Sequence, residues 1–157
     1  MTVPGRTERD GARRTLAELS VPSEPGNERR AMDEVAAVVE GLDLSGRTLE
    51  RLKTAVAEAT MNAIEHGNQY RAETPVLIEV SASSADLFVR ITDEGSGPPI
   101  PRSGAPDLEA KLEGEQTPRG WGLFLIQNMV DEMRLSGDED HHTIELVLHL
   151  DASREGG

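Results

Sequence analysis

Glu58 and Asn62 stand four residues apart in the run AEATMNAIEHGN. At about 100° per residue on a helix they project from one side, one turn apart. The pair offers a carboxylate able to act as a base and a neutral amide oxygen. Mg2+ accepts such an oxygen while it keeps several waters and takes its remaining ligands from substrate phosphates. The same spacing also describes an ordinary polar helix face. Further on, Asp93 is followed by Gly95 and Gly97 in DEGSG. Glycine allows a close backbone approach that a Cβ forbids. A buried aspartate needs donors, and the exocyclic amine of adenine is one suitable partner. A plain turn after a strand is the alternative. The third group is Arg119-Gly120-Trp121-Gly122 at the opening of a helix, where unpaired N–H groups and the positive dipole end favour an anion such as phosphate. Arg119 either reaches a terminal phosphate or stays solvated, and Trp121 reads as core or lid packing rather than as a stacking platform.

Neighbouring polar residues take plainer roles. Glu65 returns to nearly the azimuth of Glu58 but lies beyond it, and His66 beside a helix end reads as a cap, where the negative dipole end favours a cation. His141, His142 and His149 sit at an acidic turn or on a strand. Adjacent strand residues point to opposite faces, which argues against a shared metal. A P-loop and a dinucleotide fingerprint are both missing, since neither Gly-x-Gly continues to a third glycine at the needed offset. The H-R-D and D-F-G marks of eukaryotic-type kinases are missing as well.

The elements that must position these groups follow from hydrophobic period. A strand is predicted at residues 15–21 and a helix over 27–40, where Ala31, Val35, Val38 and Val39 recur at helical spacing before Gly41. Ser45 caps a second helix running to about residue 66, with Leu49, Leu52, Val56, Ala59 and Ala63 as its apolar stripe. Two alternating runs, Val76, Ile78, Val80 and Leu87, Val89, Ile91, form antiparallel strands joined by a turn over residues 81–86. Asp93 keeps the parity of the second run, so a straight strand points its carboxylate to the buried face, an unusual place for aspartate. Residues 95–118 are irregular, with prolines at 98, 99 and 101 and one helical turn near 107–112; a connection this long in a compact domain is usually functional. A third helix follows over 121–132, then a second hairpin from 133–136 and 142–150. The order implies helices on one face of a mostly antiparallel sheet.

The chain has 157 residues, 16 Lys+Arg against 29 Asp+Glu and a formal net charge of −13, so a nucleic-acid or anionic-membrane role would need a basic run that it does not contain. Only 3% of residues are aromatic, which makes the core aliphatic, and the absence of cysteine removes disulfides and thiol chemistry. No apolar stretch approaches the ~18 residues of a membrane span. These features imply a cytoplasmic protein with one domain over residues 13–150, between a loose arm at 1–12 and a tail at 151–157.

Taken in order, Glu58…Asn62 within AEATMNAIEHGN, then DEGSG, then RGWGLFLIQNMVDEM, the chain resembles the N, G1 and G2 boxes of the GHKL ATPases. These share the Bergerat ATP-binding fold. Within them it is most similar to the bacterial anti-sigma-factor serine/threonine kinases, through E-x-x-x-N-A-x-x-H-G and G-x-G-L-x-L-I-x-x-x-V-D-E. The resemblance spans about residues 13–150 and implies an α+β fold, a two-layer α/β sandwich with a mostly antiparallel mixed sheet. It implies a kinase using ATP and Mg2+, with Glu58 as the catalytic base and Asn62 as the Mg2+ ligand. Asp93 would hold the adenine amine, Gly95 and Gly97 would shape its pocket, and the lid segment Arg119, Gly120, Trp121 and Gly122 would wrap the phosphates. The implied partners are a STAS-domain anti-anti-sigma protein, which is phosphorylated, a sigma factor, and a second copy in a homodimer. The alternatives are a non-catalytic ATP-binding regulatory module and a switch kinase acting on a STAS scaffold without a sigma factor. Relatives usually begin the last strand with Gly-Thr to support the adenine pocket; here parity puts His142, not Thr143, on the inward side.

Overall fold

The structure, a computed structural model, describes residues 12–95 and 119–150. Strand β1 (Arg14–Val21) leads into helix α1 (Asn27–Val38), which tightens into a 3-10 turn over Val39–Leu42. Helix α2 (Gly46–Asn62) continues as a π turn over Ala63–Gly67, and strands β2 (Val76–Ala82) and β3 (Asp86–Asp93) follow. Helix α3 (Arg119–Met129), β4 (Glu132–Gly137) and β5 (His142–His149) complete the described order. The sheet runs β1-β2-β3-β5-β4. Among the described residues all four pairings are antiparallel, with no parallel pair that would make the sheet mixed. β2–β3 and β4–β5 are hairpins, whereas β1 pairs with β2 across the two-helix segment of α1 and α2.

Strand parity sorts the two faces of the sheet. Val76, Ile78, Val80, Leu87, Val89, Ile91, Ile144, Leu146 and Leu148 are buried and share one aliphatic core with Ala31, Val35, Leu52, Val56, Ala59, Leu123 and Ile126 of the three helices. Burying a Leu or Val side chain contributes about 1.5–3 kcal/mol, so this single two-layer core is the main source of stability. Helix α2 lies between α1 and α3 and touches both. Its start is fixed by Ser45, whose Oγ accepts the Thr48 N–H at 3.1 Å.

The opposite face is polar. Arg13, Arg90 and Arg134 converge on Glu145, with the nearest pair, Arg13 to Glu145, at 2.6 Å, and the Arg13 guanidinium lies 3.6 Å from the ring centre of Phe88. An open depression of about 450 Å³ on this face has all three arginines in its lining. They already engage Glu79 and Glu145, and Glu58, Asn62 and Asp93 do not line it.

Three boundaries differ from the sequence expectation. The second helix does not run as one α-helix to residue 66, because its last turn widens to a π turn that closes with Asn68 N–H to Ala63 O at 2.7 Å. The first hairpin turn is shorter than residues 81–86, since Ser81 and Ala82 still pair with Phe88 and Leu87. Glu132 belongs to β4, where it pairs with Val147, and α3 begins two residues before Trp121. The arm at residues 1–11, Gly97, the helical turn expected at 107–112, the rest of the 96–118 connection and the tail at 151–157 lie outside the described residues. Among the described residues, no helix is long and apolar enough to cross a membrane.

Candidate functional site

The predicted residues gather around the C-terminal half of α2. Glu58 is half-buried on that helix, and Asn62, its last α-helical residue, is 4% exposed. Gly122, in the opening turns of α3, packs beside Glu58: a Cβ added there would stand 3.6 Å from the Glu58 Oε1. Arg119, Gly120 and Trp121 form the first turn of the same helix, so the N-terminal end of α3, with its unpaired N–H groups, opens beside the carboxylate. Burial first, and the charge of Glu28 from the first turn of α1 second, raise the Glu58 pKa above the ordinary glutamate value of 4.5. A carboxylate tuned upward in this way is a better proton acceptor near neutral pH.

Asp93 meets the other side of the same region. Its side chain is inward and 2% exposed, as strand parity predicts. Its Oδ1 accepts the Gly95 N–H at 3.1 Å and faces the His142 Nδ1 at 3.0 Å. Gly67, at the end of the π turn, lies flat against it. A Cβ on Gly67 would overlap the Asp93 carboxylate, and a Cβ on Gly95 would overlap the Gly67 carbonyl and come 2.9 Å from the Asn68 nitrogen. Glycine is required at both positions by close backbone approach. The π turn supplies the extra residue that carries Gly67 onto Asp93.

Asn68, next to that turn, was not singled out by its sequence position. It is fully buried, and its Nδ2 donates to Ser23 Oγ at 2.9 Å, to Thr74 O at 3.0 Å and to Pro75 O at 3.2 Å. Its Oδ1 accepts the Glu94 N–H at 2.9 Å. One side chain thus ties the loop after β1, the approach to β2 and the end of β3 to the end of the α2 segment. An amide is the one neutral side chain that donates and accepts widely enough for this; the signal in the sequence was only an Asn following a helix-ending Gly.

The remaining polar candidates separate. His142 reaches Asp93, His149 Nδ1 lies 2.7 Å from Asp86 Oδ1, and His141 pairs with Asp138, so the three histidines serve three different carboxylates. Thr143 is on the other face, its Oγ1 2.9 Å from that of Thr92. Glu65 and His66 sit together in the π turn, 3.9 Å apart. Among the described residues no group of three His, Asp or Glu side chains is placed to hold a metal. Asn62 carries a hard amide oxygen of the kind that Mg2+ accepts while taking its other ligands from water and phosphate.

The domain is a two-layer α+β fold whose central helix carries Glu58 and Asn62, with the N-terminal part of α3 beside Glu58 and a glycine-cradled aspartate beyond the π turn. The sequence matches the histidine kinase-like ATPase domain over residues 21–148, and the chain belongs to that family. Membership implies ATP binding. Among curated proteins it is similar to the anti-sigma F factor of Bacillus licheniformis, 34% identical over 130 residues covering 82% of this chain and 88% of the other. It is also similar to that of Bacillus subtilis strain 168, 33% identical with the same coverage. Solved structures with this fold include the RsbU and RsbW domains of a Mycobacterium tuberculosis protein (TM-score 0.59, 15% identity, 84% of this chain and 32% of that one). The SiaB–SiaC complex of Pseudomonas aeruginosa is another (TM-score 0.60, 12% identity, 92% and 94% covered).

Proposed function

We propose that the protein is an ATP- and Mg2+-dependent serine/threonine kinase acting as an anti-sigma regulatory factor, which phosphorylates a STAS-domain anti-anti-sigma partner. The observation that carries this reading is the convergence at α2: Gly122 packs on Glu58, and Gly67, five residues after Asn62, packs on Asp93. Similarity to anti-sigma F factors over most of both chains supports the regulatory role and the kind of partner.

In this reading ATP is the phosphoryl donor, and Asn62 would hold a Mg2+ ion that would supply charge neutralisation on the phosphates. Asp93 would accept the adenine amine, with Gly95 beside it and Gly97 given the same pocket role by the sequence resemblance alone. Glycines 120 and 122 let the α3 N-terminus approach the phosphates with N–H groups leading, and Arg119 and Trp121 complete that segment. Glu58 takes the proton of the partner's serine or threonine hydroxyl at its carboxylate as the new O–P bond forms and ADP departs. Holding both reactants in line and keeping water out account for most of the remaining acceleration.

The purified chain, labelled MgATP and candidate STAS-domain proteins give the test. Labelled partner is expected with the wild type, and Glu58→Gln should lose transfer by at least about a hundredfold while still binding MgATP. Transfer that survives Glu58→Gln removes the assigned base. MgATP binding with no transfer to any STAS partner, and partner control that is unchanged in Glu58→Gln, would favour the non-catalytic module instead.

A further inference from the structure

We infer that His142 is a positioning residue of the nucleotide site, whose Nδ1–H holds the Asp93 carboxylate in the orientation that selects adenine over guanine. The inference rests on the reading of Asp93 as the purine contact and adds a residue and a specificity to it. His142 is the cross-strand partner of Asp93 between β5 and β3. Its Nδ1 lies 3.0 Å from Asp93 Oδ1, with the two side chains 12% and 3% exposed. With the carboxylate oxygen as the acceptor, the ring nitrogen that faces it is the donor.

The Gly95 N–H reaches the same Oδ1 at 3.1 Å. The terminal torsion of aspartate is broad when unsupported; two donors on one oxygen, with Gly67 flush against the carboxylate carbon, leave it a single plane. Thr143 is engaged with Thr92 on the far face, and His141 is paired with the exposed Asp138. The consequence for a purine follows from its edge chemistry, since adenine presents an amine donor at the position where guanine presents a carbonyl acceptor. A carboxylate fixed in place accepts from the first and repels the second, whereas a rotating one discriminates less.

The experiment titrates the full chain with MgATP and with MgGTP, as wild type, His142→Phe and His142→Asn. Phe keeps the ring without a donor, and the Asn amide falls near the position of Nδ1. His142→Phe should bind ATP about tenfold more weakly, the loss of one hydrogen bond to a charged group, with GTP affinity little changed. The ATP:GTP ratio therefore falls, and His142→Asn restores it to within about threefold. An unchanged ratio in a folded His142→Phe, beside a wild type that binds ATP well, overturns this inference alone; a wild type that binds no ATP overturns the nucleotide reading and this one with it. Should His142→Phe fail to fold, 15N NMR of the wild-type imidazoles decides: a protonated Nδ1 on His142 at neutral pH is expected, and a bare Nδ1 with protonated Nε2 overturns the inference.

Discussion

Gly67→Ala is the smallest change that tests whether the site depends on contact between the α2 segment and β3. The added methyl would overlap the Asp93 carboxylate carbon and come within 2.7 Å of its Cβ, where ordinary contact begins near 3.4 Å. Asp93 can escape only by leaving Gly95 N–H and His142, or the π turn must move away from the strand. Overpacking costs about 1–3 kcal/mol, and a lost hydrogen bond to a charged group costs about 1.5–3 kcal/mol more. A total of about 4 kcal/mol corresponds to a fall in Tm of roughly 10 °C for a domain of this size. Gly41→Ala is the control, since a Cβ there meets nothing within 4 Å. Urea unfolding and MgATP titration of both variants give the answer: Gly67→Ala should lose stability and ATP affinity together. If it stays within about 1 kcal/mol of Gly41→Ala and binds ATP as the wild type does, the proposed cradle around Asp93 is wrong.

Three further outcomes concern Asn68, Glu58 and Glu28. Asn68→Ala removes four hydrogen bonds joining separate segments and should cost about 2–4 kcal/mol in denaturant unfolding; an unchanged midpoint would show that these contacts contribute nothing. For Glu58, burial and then Glu28 raise the folded pKa above 4.5, so the native chain holds the proton at higher pH than the unfolded chain does. That contribution favours folding below pH 4.5 and is lost as pH rises through the folded value. Glu58→Gln should therefore unfold at higher urea than the wild type at pH 7, with the gap closing below pH 4.5, and Glu28→Gln should move the acidic limb of phosphotransfer to lower pH. A pH-independent gap, or an unmoved limb, contradicts this account of the site's charge.

Much of the architecture was legible because period and parity are local properties. Alternation in Leu87, Val89 and Ile91 put Asp93 on the inner face, and the same rule put His142 rather than Thr143 on the inward side, while their cross-strand pairing emerged only from the fold. Ser45 announced the start of α2 through its side-chain oxygen. The π turn was not visible, since an apolar stripe at spacings of three and four fits an α-helix or one with a single extra residue equally well. Asn68 escaped notice because its partners, Ser23, Thr74, Pro75 and Glu94, are distant or local only after folding. The wholly antiparallel pairing also depends on β5 entering between β3 and β4, a long-range choice that no window of residues contains. For the site, residue types and order identified Glu58, Asn62 and Asp93 as candidates; that Gly67 and Gly122 are the points of contact emerged only from packing.

The π turn makes the number of residues between Asn62 and Asn68 matter as much as their identity. Shortening the stretch by one would restore a regular helix end and rotate a side-chain-bearing neighbour into the slot that Gly67 fills, with no alteration to any of the residues proposed for catalysis. A single-residue deletion here should therefore be among the least tolerated changes in the chain.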